Sequence, residues 1–153
     1  MVYSMDCRCQ HERKNMTDDS SLFGEALKAA ENSYSPYSKF RVGAAILCAD
    51  GSVITGTNVE NRSFGLTICA ERSALVKAIS QGKRDFSAIA IATPDAEYPV
   101  SPCGACRQVL SEFFPPLASV SFGNTETSCV TTTMASLFPF DALHELAHEE
   151  KEL

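Results

Sequence analysis

The chain holds no apolar run near the ~18 residues that a membrane-spanning helix needs, and its opening stretch MVYSMDCRCQHERKN lacks the apolar core of a secretory signal. These two absences argue against a membrane protein and a secreted one, so a cytoplasmic protein is the expectation. A surplus of positive charge is missing as well. Thirteen Lys and Arg stand against 19 Asp and Glu, for a formal net charge of -6, which leaves no field to attract a phosphate backbone and argues against a dedicated nucleic-acid binder. A small or neutral substrate fits better. No internal repeat or linker is visible, and the seven cysteines are odd in number and irregularly spaced. That is not a disulfide framework; it suits a reduced compartment where thiols serve as ligands or core residues.

What is present reads as one ordinary globular domain. With 153 residues, 44% hydrophobic and 21% charged, the chain can bury one real core and not two. Residues 1–16 are polar, without hydrophobic period, and are expected to form a flexible N-terminal tail; it carries Cys7, Cys9 and His11, to which no function is assigned. The domain is expected to span 17–153. From Thr17, apolar residues at Leu22, Phe23, Ala26, Leu27 and Ala30 predict a first helix. Two β-prone runs around Asp50-Gly51 predict a hairpin. CAERSALVKAISQG predicts a helix ending at Gly82, SAIAIAT a strand, and a third helix is expected from about Cys103 to Phe113. LASVSF and SCVTTT, flanking Gly123-Asn124, read as two more strands, and the segment from Met134 onward as a broken amphipathic segment that ends in a final helix. The order α, β, β, α, β, α, β, β, α implies an α/β fold: a three-layer α/β/α sandwich with a mixed five-stranded sheet.

The chemistry is concentrated in two short stretches. In SPCGACRQVL, Cys103 and Cys106 lie three residues apart at a helix start, where unpaired backbone N–H groups favour thiolate. Alone, this Cys-x-x-Cys fits a redox pair as well as half of a metal site. In TICAERSAL, Cys69 opens another helix, and two helix starts at one sheet edge would add its sulfur to the pair. Three thiolates leave the fourth tetrahedral position of a zinc ion open, as a catalytic site needs. Glu71, two residues past Cys69, is placed to act as general acid and base, with zinc lowering the pKa of water from about 16 towards about 7. Arg72 and the helix dipoles can offset the charge of three thiolates. A dithiol oxidoreductase would use the Cys-x-x-Cys and leave Cys69 and Glu71 unexplained. Cys48 and Cys129 fit packed thiols in strands, and His144 and His148 fit solvated positions on a charged helix.

TICAERSAL followed by PCGACRQ resembles the zinc signature of the cytidine deaminases, specifically the small free-nucleoside type with Cys where polynucleotide-editing branches have His. The resemblance extends through YSPYSKFRVGAAIL, GTNVENRSFGL and RDFSAIAIAT, about Leu22 to Phe114. It implies one Zn2+ per chain on Cys69, Cys103 and Cys106, Glu71 as the catalytic proton carrier, and hydrolytic deamination of cytidine and deoxycytidine to uridine and deoxyuridine plus ammonia. It further implies that Asn58 and Glu60 bind the ribose hydroxyls, that Phe40 packs near the base or sugar, and that the backbone around Ala70 holds the pyrimidine edge. A homotetramer is implied too, with Phe64 at a subunit boundary and a C-terminal aromatic lent to a neighbour; SLFPFDAL departs from the usual spacing there, and of Phe138 and Phe140 we favour Phe140. Related readings are a deaminase of a nucleoside such as blasticidin S and a noncatalytic zinc-binding module of the same fold. The carboxylate at Glu71 favours an enzyme over the latter.

Overall fold

In the computed structural model, which describes residues 21–141, the Asp50-Gly51 pair makes the turn its chemistry predicts. Gly51 takes the left-handed conformation (φ 82) that a side chain would oppose. The Asp50 carboxylate accepts hydrogen bonds from the Ser52 backbone N–H and hydroxyl at 3.0 and 2.6 Å. This turn joins β1 (Gly43–Cys48) to β2 (Val53–Thr57), an antiparallel pair in register from Gly43↔Thr57 to Leu47↔Val53. The other edge of β1 pairs antiparallel with β3 (Phe86–Ala92). Next, β3 pairs parallel with β4 (Ser119–Thr125), and β4 antiparallel with β5 (Ser128–Thr133), so the sheet order is β2-β1-β3-β4-β5. This is the mixed five-stranded sheet expected.

The second hairpin turns at a different place from the one expected. Gly123 and Asn124 lie inside β4, and the chain reverses at Glu126-Thr127, where Thr125 Oγ1 accepts the Ser128 N–H at 3.0 Å. Gly123 serves close packing instead: a Cβ there would stand 2.3 Å from the Ser128 carbonyl oxygen.

Strand alternation divides the core between two faces. On one, Ala45, Ala88, Ala90 and Ala92 receive Leu22, Phe23 and Ala26 of α1, helical over 21–30. On the other, Ala44, Ile46, Ile54, Ile89, Ile91 and Val120 pack against α2 (Ala70–Ser80), Leu110 of α3 (Gly104–Phe113), and Met134 and Leu137 of α4 (Met134–Leu137). Each of these large side chains contributes about 1.5–3 kcal/mol on burial. Gly56 of β2 brings α2 onto the sheet: a Cβ there would lie 2.2 Å from the Ala74 backbone nitrogen. Helices therefore cover both faces, giving the three layers expected.

The final helix in which the last amphipathic segment was expected to end lies outside the described residues, which cover only the start of that segment. A single turn, α4, is capped by the Thr133 hydroxyl accepting the Ser136 N–H at 3.2 Å and stops before Pro139, whose ring disfavours helix at Phe138. His144 and His148, the tail 1–16 with Cys7, Cys9 and His11, and the expected helix start at Thr17 lie outside the described residues. Among the described residues no helix is long and apolar enough to cross a membrane.

Candidate active site

Because β2 and β3 both run antiparallel to β1, which lies between them, they run in the same direction and end at the same edge of the sheet. The helices that follow them start there. Cys69 is the N-cap of α2 and Cys103 the N-cap of α3, one residue ahead of the helical turn in which the sequence pattern placed Cys103. Ser, Thr, Asp or Asn usually fill this position and accept a backbone N–H. Neither thiol does so, which leaves both sulfurs free to point at one another. Cys106, in the first turn of α3, is fully buried and completes the cluster; the three Sγ atoms all lie within 4.8 Å of one another. Cys48 is a buried thiol of the main core and Cys129 packs against the smaller one, as their strand positions suggested.

Charge at this edge is arranged around Cys69. The Cys106 S–H and the Arg72 guanidinium, the latter 3.5 Å from Cys69 Sγ, hold the Cys69 thiol down to about 5. Cys106, donating that bond from a buried position beside Glu71, is pushed up. Glu71 is only 4% exposed. Burial pushes its carboxyl up, its own backbone hydrogen bond only partly offsets the rise, and the Cys69 thiolate adds to it. A carboxyl raised in this way is better matched to exchanging protons near neutral pH.

This donor set fits zinc. Tetrahedral sulfurs held at about 2.3 Å from a zinc ion stand about 3.8 Å apart, inside the 4.8 Å within which the three Sγ atoms lie. A buried Arg72 Nε has no hydrogen-bond partner here while its Nη2 reaches Cys69 and the Thr67 carbonyl. A cation placed over the thiols and yet not paired with a carboxylate is what a set of anionic sulfur ligands requires.

The NVEN stretch was expected to supply the other half of the site. Asn58 is 7% exposed. Its Oδ1 accepts from the Ser33 hydroxyl at 2.5 Å and the Val42 N–H at 2.9 Å, and its Nδ2 donates to the Phe40 carbonyl at 2.9 Å. One Nδ2 proton remains for another partner. Glu60 Oε2 accepts from the Tyr37 and Ser38 N–H groups at 2.9 and 3.3 Å, and Oε1 from the Ser38 hydroxyl at 2.5 Å. The Ser38 hydroxyl, foremost among these donors, holds the Glu60 carboxyl below its usual range. Both side chains thus bind the loop 33–42, which also carries Phe40.

Comparison with known proteins bears on this edge directly. The model of the cytidine and deoxycytidylate deaminase zinc-binding region matches residues 16–122, which include all three clustered thiols and Glu71. This chain belongs to the cytidine and deoxycytidylate deaminase family. A cytidine deaminase of Halalkalibacterium halodurans is 52% identical over 122 residues, 80% of this chain and 92% of the relative. A blasticidin-S deaminase of Bacillus cereus is 34% identical over 108 residues, 66% of this chain and 76% of the relative. Among solved structures, the cytidine deaminase of Burkholderia pseudomallei superposes with a TM-score of 0.74 at 44% identity, covering 78% of this chain and 94% of that one.

Within this family frame the remaining expected residues take different places. Ala70 is fully buried. Phe40 is half-buried. Phe138 packs against the main core, while Phe140 is 91% exposed. Phe64 is 73% exposed and its ring lies 5.9 Å from that of Tyr37. A cavity of about 350 Å3 opens beside the same loop, along Ser33 to Pro36, Lys39 and Arg41, and includes none of the thiols. The sequence reading passed over Ser33 and Ser38, which anchor Asn58 and Glu60, and Arg107, which directly follows Cys106. Their signal was chemical type alone, since serine in a loop and arginine on a helix are ordinary surface residues.

Proposed function

We propose that the protein deaminates free cytidine and deoxycytidine, with one zinc ion per chain held by Cys69, Cys103 and Cys106. The observation that carries this reading is the convergence of two helix N-caps and a buried third thiol beside the carboxylate of Glu71. When bound, zinc supplies chemistry the side chains lack, lowering the pKa of water towards neutrality so that hydroxide is available for attack at C4.

The chain's own groups do the rest. Glu71 takes the proton released from water on a carboxylate oxygen and hands it to the ring nitrogen; it then carries the water's other proton, lost from the new C4 hydroxyl as the carbonyl forms, to the exocyclic amine, which leaves as ammonia and gives uridine. Arg72, donating to Cys69 Sγ, offsets the thiolate charge that would otherwise oppose ionisation of water. The free Nδ2 proton of Asn58 and the carboxylate of Glu60 offer a donor and an acceptor to a sugar diol. The Ala70 backbone meets the pyrimidine edge, and Phe40, on the same loop as Ser38, packs against the base or sugar.

Residues 17–153 act as one unit in this reading. Supporting an assembly, Tyr34, Val59 and Ile68 sit side by side on neighbouring backbone bridges and are exposed, next to exposed Phe64 and Leu66. Apolar surface of this kind beside a site calls for cover; a homotetramer, with Phe140 lent to a neighbouring subunit, provides it. A cytoplasmic role in pyrimidine salvage follows from a free nucleoside substrate. The test is steady-state turnover of cytidine, read as the loss of absorbance on forming uridine, beside a short cytosine-containing oligonucleotide, with zinc per chain and molecular mass in solution measured on the same sample. One zinc, cytidine turnover and a mass of four chains are expected; turnover of the oligonucleotide alone would overturn the reading.

A further inference from the structure

We propose that Arg107 is a positioning residue that locks the turn ahead of Cys103 to the C-terminal segment carrying Phe140, so that one guanidinium governs both metal retention and the closing of the substrate pocket. Its three nitrogens reach three places. Nε donates to the Pro102 carbonyl at 2.8 Å, Nη2 to the Ser101 hydroxyl at 2.8 Å, and Nη1 to the Leu137 carbonyl at 3.1 Å. The first two acceptors immediately precede Cys103, which is exposed and whose thiol makes no capping bond to its own helix. Pro102 has no N–H with which to anchor that turn itself. The third acceptor closes α4, three residues before Phe140.

A neighbour on α3 repeats the link. Gln108 Nε2 donates to Asp141 Oδ1 at 3.4 Å, on the far side of Phe140. The helix that supplies Cys103 and Cys106 therefore grips the C-terminal segment on both sides of Phe140. Planar guanidinium geometry makes this fork rigid, and a lysine ammonium cannot reproduce it. Groups that orient metal ligands from behind typically change metal affinity by about 10–100-fold when removed.

The proposal rests on the deaminase reading for its substrate arm only. Zinc-loaded wild type, Arg107→Gln, Arg107→Lys and the milder Ser101→Ala are compared by zinc release to a chromogenic chelator, by kcat and KM for cytidine, and by Tm. Both Arg107 variants are expected to release zinc about tenfold faster and to raise KM several-fold with a smaller change in kcat, and Ser101→Ala to speed zinc release by less with KM little changed, since the link to Leu137 persists. A lowered Tm with zinc release and KM within twofold of wild type would reduce Arg107 to a structural clasp and overturn the proposal. Wild-type behaviour of Arg107→Lys would overturn it too, because a point charge would then suffice. Should wild type hold zinc and leave cytidine unchanged, the deaminase reading fails, and the chelator arm still decides the role of Arg107.

Discussion

The thiol cluster and the NVEN stretch, the two halves of the proposed site, are built on opposite logics. At the thiol half, side chains are withheld from the structure around them: Cys69 and Cys103 occupy N-cap positions without capping, and Arg72 keeps a buried Nε without a partner. In the NVEN half they are spent on it. Asn58 and Glu60 bind the Ser33, Ser38 and backbone groups of one loop and have little capacity left over. Uncommitted polar groups cost stability and are kept for a ligand, whereas committed ones stabilise the loop and touch a ligand with what remains. Variants of the first half should therefore lose function with the fold intact, and those of the second should lose some of both.

The largest effect is expected for Cys106→Ser. Zinc per chain, by elemental analysis, should fall to near zero and cytidine turnover with it, because a buried hydroxyl is a poor substitute for thiolate on zinc. Glu71→Gln keeps shape and burial while removing the proton carrier, so kcat should fall by about 10²–10⁴ with zinc content unchanged. Loss of zinc along with activity would blur the contrast between ligand and proton carrier. Asn58→Ala should behave differently from either. The Val42 N–H loses its acceptor and the loop its anchor, for a destabilisation of about 2 kcal/mol, read by chemical denaturation, together with a higher KM; a raised KM at unchanged stability would make Asn58 a residue of the first kind.

The smallest effect belongs to the end of the loop. Arg41 donates from its backbone and guanidinium to Asp95 and holds that carboxyl below its usual range. The folded value is depressed below the unfolded one of about 3.9, so the contribution is present above that value and is lost as pH falls through the folded one. Asp95→Asn should be slightly less stable than wild type at pH 7, and the gap should close in acid, as an acid-unfolding titration of both proteins would reveal. A gap that persists at low pH would assign the effect to hydrogen bonding without charge.

Much of this was legible before the coordinates. Asp50-Gly51 announced its hairpin because only glycine takes that left-handed turn without strain, and the helix ending at Gly82 followed from the same property, with φ 81 there. Gly123-Asn124 misled for a related reason: glycine marks close approach as readily as a turn, and at Gly123 it is the neighbouring strand that needs the room. Asn58 carried no such signal, since nothing local reveals that it is buried against a loop some 25 positions earlier in the chain.

Residue type and spacing alone determined the zinc chemistry, for three thiols and a carboxylate at helix starts are a donor set that few other purposes require, and alternation and helical period determined the layers. Tertiary structure decided which of these groups meet. The common direction of β2 and β3 across an intervening antiparallel strand brings Cys69 within reach of Cys103 and Cys106, and the bonds of Asn58, Glu60 and Arg107 join segments far apart in the chain. Pairing across such distances depends on register and packing summed over the whole sheet, and no local stretch of sequence carries that sum.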